Sequence, residues 1–291
     1  MKIDSNSRSV DLDPREAQFY ENPYPAYHEL RRKVFMLVPI LAPSIGQLVL
    51  FVASWRMIFV GFLAMALIAA IFLQVRQEET LPHEKRVTFS AGNLFRSAVE
   101  FFRFPSAWGY TVSVGFVFAS FICYLGTSQQ IFAEQYAQGE WFAVWFGGFA
   151  IAIAFAMIFN GRMVMRHGMR MLAKWAVRGC IVFSAIFLVV ALSYAGHPPL
   201  WTLGVYMFCT FFCSGILFGN YNAMAMEHVG HIAGMAAAIS GTLSTLVALS
   251  IGTWFGQQYD GTVMPLVYAF LSMSVAAMLV SEGVEWAKRR G

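Results

Sequence analysis

Apolar residues in this chain occur in runs of about 20, with short polar segments between them. A helix of about 20 residues crosses the roughly 30 Å hydrocarbon core of a bilayer. Because lipid offers the backbone no hydrogen-bond partner, each run is predicted to be helical. The pattern predicts eight spanning helices, at residues 34–53, 57–75, 107–127, 141–159, 172–194, 200–218, 232–255 and 263–280.

The composition fits an all-α polytopic membrane protein. Hydrophobic residues make up 58% of the 291 positions and charged residues 12%, against about 45–50% and about 25% in soluble domains. These values exclude a soluble enzyme, a disordered chain and a disulfide scaffold. All four cysteines lie inside apolar runs and are interpreted as small buried hydrophobes: Cys123, Cys180, Cys209 and Cys213.

Basic residues predict the orientation of the spans. Of the 20 Lys and Arg residues, 19 fall on one side of the predicted membrane, and Arg56 alone falls on the other. Basic loops face the cytoplasm, so both termini are predicted to be cytoplasmic. The net charge of +4 then follows from topology, and no nucleic-acid partner is predicted.

The one long loop between spans divides the chain. We predict a polar leader at 1–33, a helix pair at 34–75, a cytoplasmic linker at 76–104, a six-helix unit at 105–282 and a basic tail at 283–291. In the linker, apolar residues at helical spacing favour an amphipathic helix at the membrane interface, with Ser90 as a candidate cap. An irregular linker is the alternative. The apolar residues are Leu94, Phe95, Ala98, Val99 and Phe102.

Uncharged polar residues are the candidates for a substrate path. Every carboxylate from residue 100 onward falls in a predicted loop or at a predicted helix end, so no proton pathway is recognisable within the spans. Amides and hydroxyls beside many aromatic residues suit a pocket for amphipathic organic molecules. Bonding to the backbone or to a neighbouring helix is the alternative. The candidates are Tyr124, Gln129, Gln130, Asn220 and Asn222.

No metal site and no cofactor are predicted. Cys209 and Cys213 stand four residues apart, and His228 and His231 stand three apart. Only Glu227 lies near the histidines in the sequence, which leaves too few ligands for a typical site.

Three stretches resemble one family. Residues 38–47, which include Pro39, Ala42, Pro43 and Gly46, are followed by Ser54 to Phe59. They resemble the fifth helix and the start of the sixth in the Bcr/CflA-type drug-resistance branch of the major facilitator superfamily. Residues 218–236 are similar to that family's tenth and eleventh helices, and they contain Glu227, His231 and Gly234. Gly161, Arg166, Gly168 and Arg170 resemble its loop G-x-x-x-D-R-x-G-x-R, with Met165 in place of the acid.

The register of this resemblance makes the eight spans equivalent to the family's helices five to twelve, a partial major facilitator fold. It implies proton-coupled efflux of amphipathic drugs or small organic molecules, in the inner membrane of a bacterium. In this superfamily two six-helix halves rock about a central site, so lack of the first four helices is expected to impair transport unless a partner chain supplies them. A transport-inactive truncated or fused membrane protein is the alternative.

A short N-terminal stretch resembles a second family. Residues 11–31 are similar to the opening of bacterial haem-thiolate monooxygenases, where D-P-Y-P-x-Y-x-x-L-R leads into the first helix. An ordinary polar leader is the alternative interpretation. The haem-binding loop F-x-x-G-x-x-x-C-x-G appears nowhere in the sequence, so a monooxygenase activity is not expected.

Overall fold

The computed structural model describes residues 49, 53–76 and 90–290. Within them every regular element is helical, and there are eight α-helices. They are α1 (Arg56–Arg76), α2 (Ala91–Arg103), α3 (Pro105–Gln130), α4 (Phe142–His167), α5 (Met169–Ser193), α6 (Leu200–Met226), α7 (Ala233–Gln257) and α8 (Met264–Arg290). A π-helical turn, Ile131–Gln135, extends α3, and 3₁₀ turns at Gly139–Trp141 and Gly230–Ile232 precede α4 and α7.

Seven of these helices, α1 and α3 to α8, are long and apolar enough to cross a membrane. The prediction of an all-α polytopic membrane protein is therefore confirmed. The predicted span at 34–53 lies outside the described residues, apart from Val49 and Ala53. The helix α1 is apolar on every face, and its side chains from Phe59 to Val75 are exposed, as expected of a span that faces lipid or other spans.

The helices α3 to α8 form one bundle in which α3 and α6 are central. The helix α3 packs against α7, α8 and α6, while α6 packs against α4 and α5. The helices α5 and α8 also pack together, and α4 and α7 lie at the two ends of this arrangement. We call the end where α3, α5 and α7 begin, and where α4, α6 and α8 end, the basic end of the bundle.

Small residues bring α7 close to α3. Buried positions on α7 recur every four residues and form one stripe. At Gly252 an added Cβ atom would lie 2.5 Å from the carbonyl oxygen of Ala119 on α3, and at Gly115 it would lie 2.8 Å from Val247 Cβ. The helices therefore meet at backbone distance, which only small residues permit. The stripe consists of Ala236, Ser240, Ser244, Ala248 and Gly252.

Turn residues set the connections between the helices. Gly168 has a φ of 78° between α4 and α5, and Gly196 has a φ of 85° between α5 and α6, values that glycine adopts without steric cost. The Tyr136 hydroxyl donates a hydrogen bond to the Pro198 carbonyl, 2.7 Å away. Before α8, the Thr262 hydroxyl donates to Asp260, and this hydrogen bond lowers the pKa of the carboxyl.

The linker contains a helix where the sequence predicts an amphipathic one. Ser90 stands at the N-cap position of α2, but its side chain makes no capping hydrogen bond. Phe101 is 0% exposed and packs with Val229 and Ala236 on the bundle. Phe95 and Phe102 are exposed. The helix α2 is thus held to the bundle through one face and leaves aromatic side chains on the other.

Candidate functional site

Aromatic rings from α3, α4 and α6 meet around Tyr124. The Tyr124 ring centroid lies 4.9 Å from that of Phe211 on α6, and 5.9 Å and 6.2 Å from those of Phe146 and Phe149 on α4. Phe121, one turn earlier on α3, lies 6.2 Å away. We call these five residues the aromatic cluster. Edge-to-face and offset contacts of this kind each contribute about 0.5–1.5 kcal/mol beyond burial.

The Tyr124 hydroxyl is the exceptional group in this cluster. Tyr124 is 1% exposed. Ser128, one turn on, is the side chain that interacts with its hydroxyl, but no hydrogen bond of normal geometry forms among the described residues. Other buried tyrosines are paired: Tyr206 with Ser184 at 3.2 Å and Tyr221 with Ser281 at 3.3 Å. Leaving a buried hydroxyl unpaired costs about 1–3 kcal/mol, so a polar atom of a bound molecule would stabilise the Tyr124 hydroxyl.

The other four substrate-path candidates lie apart from the aromatic cluster. Gln129 and Gln130 are exposed in the last turn of α3, at the end of the bundle opposite the basic end. Asn220 is buried and donates to Asn160 Oδ1 on α4 at 2.7 Å, which links two helices. Asn222 is exposed and donates to the Phe218 carbonyl one turn back, at 2.8 Å. The structure therefore does not bring the five predicted residues into one pocket.

A cluster of charged groups joins four helices at the basic end. Arg170, at the start of α5, pairs with Glu227 Oε2 at 2.7 Å and with Glu285 Oε1 at 3.0 Å. Lys288 Nζ lies 3.6 Å from Glu227 Oε2, and the Tyr110 hydroxyl of α3 donates to Glu285. We call these five residues the charge cluster. It connects the starts of α3 and α5 to the ends of α6 and α8, so it holds these four helix ends together.

Sequence reasoning singled out Arg170 and Glu227 but missed Tyr110, Glu285 and Lys288. The spacing of Glu285 and Lys288, three apart near the end of an apolar helix, carried a signal of an ion-pairing face. A separate ion pair between α5 and α8, Arg178 with Glu282 at 3.0 Å, lies one helical turn away from the charge cluster.

The remaining motif residues occupy different settings. Gly161 lies within α4 and Gly234 near the start of α7, each with open space where a Cβ atom would be. Arg166 is exposed in the last turn of α4. Met165, at the position of the family's acid, is also exposed. Pro39, Pro43 and Gly46 lie outside the described residues.

His231 fastens the linker helix to the bundle, and His228 contacts the start of α3 and the residue before it. His231 Nε2 lies 2.6 Å from Glu100 Oε1 on α2, and His228 Nδ1 lies 3.4 Å from Ser106 Oγ. The His228 ring also stacks on Phe104. In the described part of the chain, no three His, Cys, Asp or Glu side chains converge as a metal site would require.

Comparisons with known proteins agree on one family. A sequence profile of the Major Facilitator Superfamily matches residues 33–253. The uncharacterized MFS-type transporter YdgK of Bacillus subtilis is 26% identical over 243 residues, which cover 82% of this chain and 60% of that protein. A bicyclomycin resistance protein homolog of Haemophilus influenzae is 22% identical over 247 residues, which cover 84% and 61%.

The chain thus spans about 60% of the length of these two relatives. No solved structure matches it. The stretch that resembles a monooxygenase, residues 11–31, precedes the matched region and lies outside the described residues. That resemblance stays a prediction.

Proposed function

The chain belongs to the major facilitator superfamily, and we propose that it takes part in the export of amphipathic drugs or small organic molecules. The two relatives that it resembles are named a transporter and a resistance protein, not enzymes. In this proposal α3 to α8 form one half of the transporter, and the aromatic cluster forms part of the surface that the substrate contacts. The Tyr124 hydroxyl carries the proposal, because it makes no hydrogen bond of normal geometry within the described residues and a substrate donor or acceptor would satisfy it.

The chemistry of the aromatic cluster supports this substrate class. Its five side chains offer large flat apolar surfaces and one hydroxyl, and none of them is charged. Such a lining suits a molecule that is mostly apolar with few polar atoms. Aromatic faces also attract organic cations. The name of the Haemophilus influenzae relative supports a drug as the substrate.

The charge cluster holds one half of the transporter together in this proposal. Major facilitator proteins work by rocking of two halves about a central site. The five members of the charge cluster sit at the ends of α3, α5, α6 and α8, all within one half, so this half moves as a unit with its ion pairs intact. The basic end faces the cytoplasm in this proposal, because it carries Arg162, Arg166 and Arg170 together.

The proposal includes proton coupling because residues 38–47 resemble the fifth helix of the drug-resistance branch, whose members exchange drugs for protons. In the described spanning segments, carboxylates lie only near the ends, at Glu134, Glu140, Glu282 and Glu285. Groups that exchange protons at membrane depth therefore come from helices beyond those described. A partner chain that carries the family's first four helices would complete the transport path.

Dye movement in liposomes tests the proposal. The chain is reconstituted alone, and together with a segment that carries the first four helices of a relative, and an amphipathic cationic dye is followed under an imposed proton gradient. The proposal expects dye movement that depends on the gradient in the second preparation. No movement in either preparation supports the alternative, a membrane protein that does not transport.

Two tyrosine variants locate the substrate surface. Tyr124→Phe removes a hydroxyl that makes no hydrogen bond of normal geometry among the described residues, so we expect an unchanged fold and an affinity for the dye that is lower by up to about tenfold. Tyr206→Phe removes a hydroxyl that is paired with Ser184, so it is expected to lower stability and leave dye affinity unchanged. The reverse pattern would contradict the placement of the substrate at the aromatic cluster.

A further inference from the structure

A groove of about 680 Å³ runs along the bundle between α4 and α5, and α6 forms its floor. Its lining is apolar except for the His167 ring and the thiols of Cys209 and Cys213. The volume falls within the range of about 300–1,000 Å³ found for small-molecule sites. The groove holds one polar ring, at the basic end, and apolar side chains beyond it, which suits an amphiphile in one orientation.

The groove is closed off from the aromatic cluster. The helices α4 and α6 touch at Gly215, where an added Cβ atom would lie 2.8 Å from Ala156 Cβ and 3.3 Å from the Ile153 backbone. Nearer the basic end, Asn160 and Asn220 are hydrogen bonded across the same contact at 2.7 Å. An occupant of the groove therefore does not reach Tyr124 through this contact.

The groove opens toward the outside of the bundle. Trp175 is 66% exposed and Met171 is 46% exposed along its rim on α5. From Met171 to Phe183 the groove follows twelve residues of α5, a rise of about 18 Å, which is more than half of a hydrocarbon core of about 30 Å. An exposed apolar groove of that length along a membrane-spanning helix faces the acyl chains of the lipid.

Basic residues stand near the mouth of the groove. His167 lines the groove. The exposed Arg166 and Arg162, one and five positions earlier on α4, lie on a neighbouring face of that helix and do not line the groove. Neither arginine has an ion-pair partner among the described residues. The carboxylates at this end are engaged elsewhere, Glu227 and Glu285 by Arg170 and Glu282 by Arg178. Within the part of the chain that the structure describes, the basic side chains near the mouth thus have no acidic partner, which favours an anion.

We propose that this groove binds an anionic phospholipid. One acyl chain lies along Met163, Trp175 and Phe212, and the phosphate lies at the mouth beside Arg166 and His167. The aromatic ring of Trp175 suits contact with an acyl chain near the headgroup region. This site is separate from the proposed substrate surface and does not depend on the proposed function.

Alkylation of Cys209 reports occupancy of the groove. Cys209 lines the groove and is partly exposed, whereas the other three cysteines are buried. The chain is placed in nanodiscs of phosphatidylcholine, alone or mixed with phosphatidylglycerol, and the rate of Cys209 labelling by N-ethylmaleimide is read by intact-mass spectrometry. We expect phosphatidylglycerol to slow the labelling, because the bound acyl chain covers the thiol.

Charge variants test whether a basic residue near the mouth of the groove contributes to lipid binding. Arg166→Gln is expected to weaken the protection by phosphatidylglycerol about fivefold, as loss of one arginine near anionic lipid does. Arg289→Gln removes an exposed arginine of α8, a helix that contributes no residue to the groove lining, and it should keep full protection. Equal protection in wild type by phosphatidylcholine and by phosphatidylglycerol would overturn the proposal, and so would protection by inorganic phosphate alone.

A bulky substitution in the groove tests where the lipid acyl chain lies. Met171→Trp places a larger side chain in the groove and is expected to abolish the lipid dependence of labelling. Ile186→Trp changes an exposed residue of the same helix that does not line the groove, and it should behave as wild type. Undiminished protection in Met171→Trp would contradict the proposal. Protection by an amphipathic cationic dye as strong as by phosphatidylglycerol would assign the groove to substrate instead.

Discussion

Replacing Gly252 by alanine tests the close contact of α3 and α7. The new Cβ atom would lie 2.5 Å from the Ala119 carbonyl oxygen and 2.7 Å from Ile122 Cβ, whereas carbon atoms in favourable contact are about 3.5–4.0 Å apart. A backbone oxygen and a Cβ atom cannot rotate away as a side-chain tip can. The two helices must therefore separate by about 1 Å along their shared surface.

Two opposing effects determine how much Gly252→Ala changes the free energy of unfolding. Overpacking of this kind costs about 1–3 kcal/mol, while alanine gains about 1 kcal/mol over glycine as a helix former. Gly241→Ala on the same helix provides the matched control, because no atom lies within 4 Å of its added Cβ atom. The difference between the two variants isolates the packing cost, and at about 2–4 °C per kcal/mol it corresponds to a gap in Tm of about 2–12 °C.

Thiol exposure on heating provides the assay. Cys123 lies on α3 and Cys180 on α5, and both are buried, so a maleimide fluorophore reacts with them when the bundle opens. The account predicts that Gly241→Ala melts above wild type and Gly252→Ala melts below Gly241→Ala. Equal Tm values for the two variants would refute the reasoning that α3 and α7 meet at backbone distance.

Substitution of a second glycine, Gly109, distinguishes a clash with a side-chain methyl group from a clash with a backbone atom. An alanine Cβ at Gly109 would collide with the Val284 Cγ2 methyl, and the next atoms lie 3.8 Å and 4.0 Å away. Val284→Ala removes that methyl, so the double variant Gly109→Ala with Val284→Ala should be more stable than the sum of the single changes predicts. Ile122→Ala should give Gly252→Ala no such rescue, because the Ala119 oxygen and the Cβ atom at 122 remain.

Three further predictions concern the linker, the charge cluster and the turn before α8. Phe101→Ala should lower the free energy of unfolding by about 3–5 kcal/mol or release α2 to proteolysis, whereas Phe102→Ala, at an exposed position, should change neither. Glu285→Gln should cost about 1 kcal/mol by weakening its bonds to Arg170 and Tyr110, since Arg170 is partly exposed, and high salt should shrink the difference from wild type. The lowered pKa of Asp260 stabilises the fold above the ordinary pKa of about 3.9, and that contribution is lost on further acidification. The variant Asp260→Asn should therefore show a flatter dependence of Tm on pH.

Hydropathy predicted the spanning helices because each apolar run must form its own backbone hydrogen bonds in lipid. The helix bounds were less accessible to this reasoning. The helix α6 continues from 218 to Met226 and α8 from 280 to Arg290, since polar residues extend a helix past the apolar window without a break. The close contact of α7 with α3 was also out of reach, because the sequence could not name the Ala119 carbonyl oxygen as the atom that Gly252 meets.

The candidate site could be predicted only in part. Tyr124 was singled out for its polar group at membrane depth, but its ring partners on α4 and α6 come from distant parts of the sequence. Asn220 carried the same signal and instead bonds to Asn160 on a neighbouring helix. The partners of Arg170 lie 57 and 115 positions away. A single sequence gives each polar residue but not the group that it faces.

Equilibrium binding of an amphipathic cationic dye tests the central claim most directly. Dye fluorescence is titrated against the purified chain, against Tyr124→Phe and against Tyr206→Phe, with the Tm of each variant measured in parallel. The account predicts that Tyr124→Phe raises the Kd by up to about tenfold at an unchanged or higher Tm, while Tyr206→Phe lowers the Tm at an unchanged Kd. Equal dye affinity in wild type and Tyr124→Phe would contradict the claim that the aromatic cluster contacts the substrate.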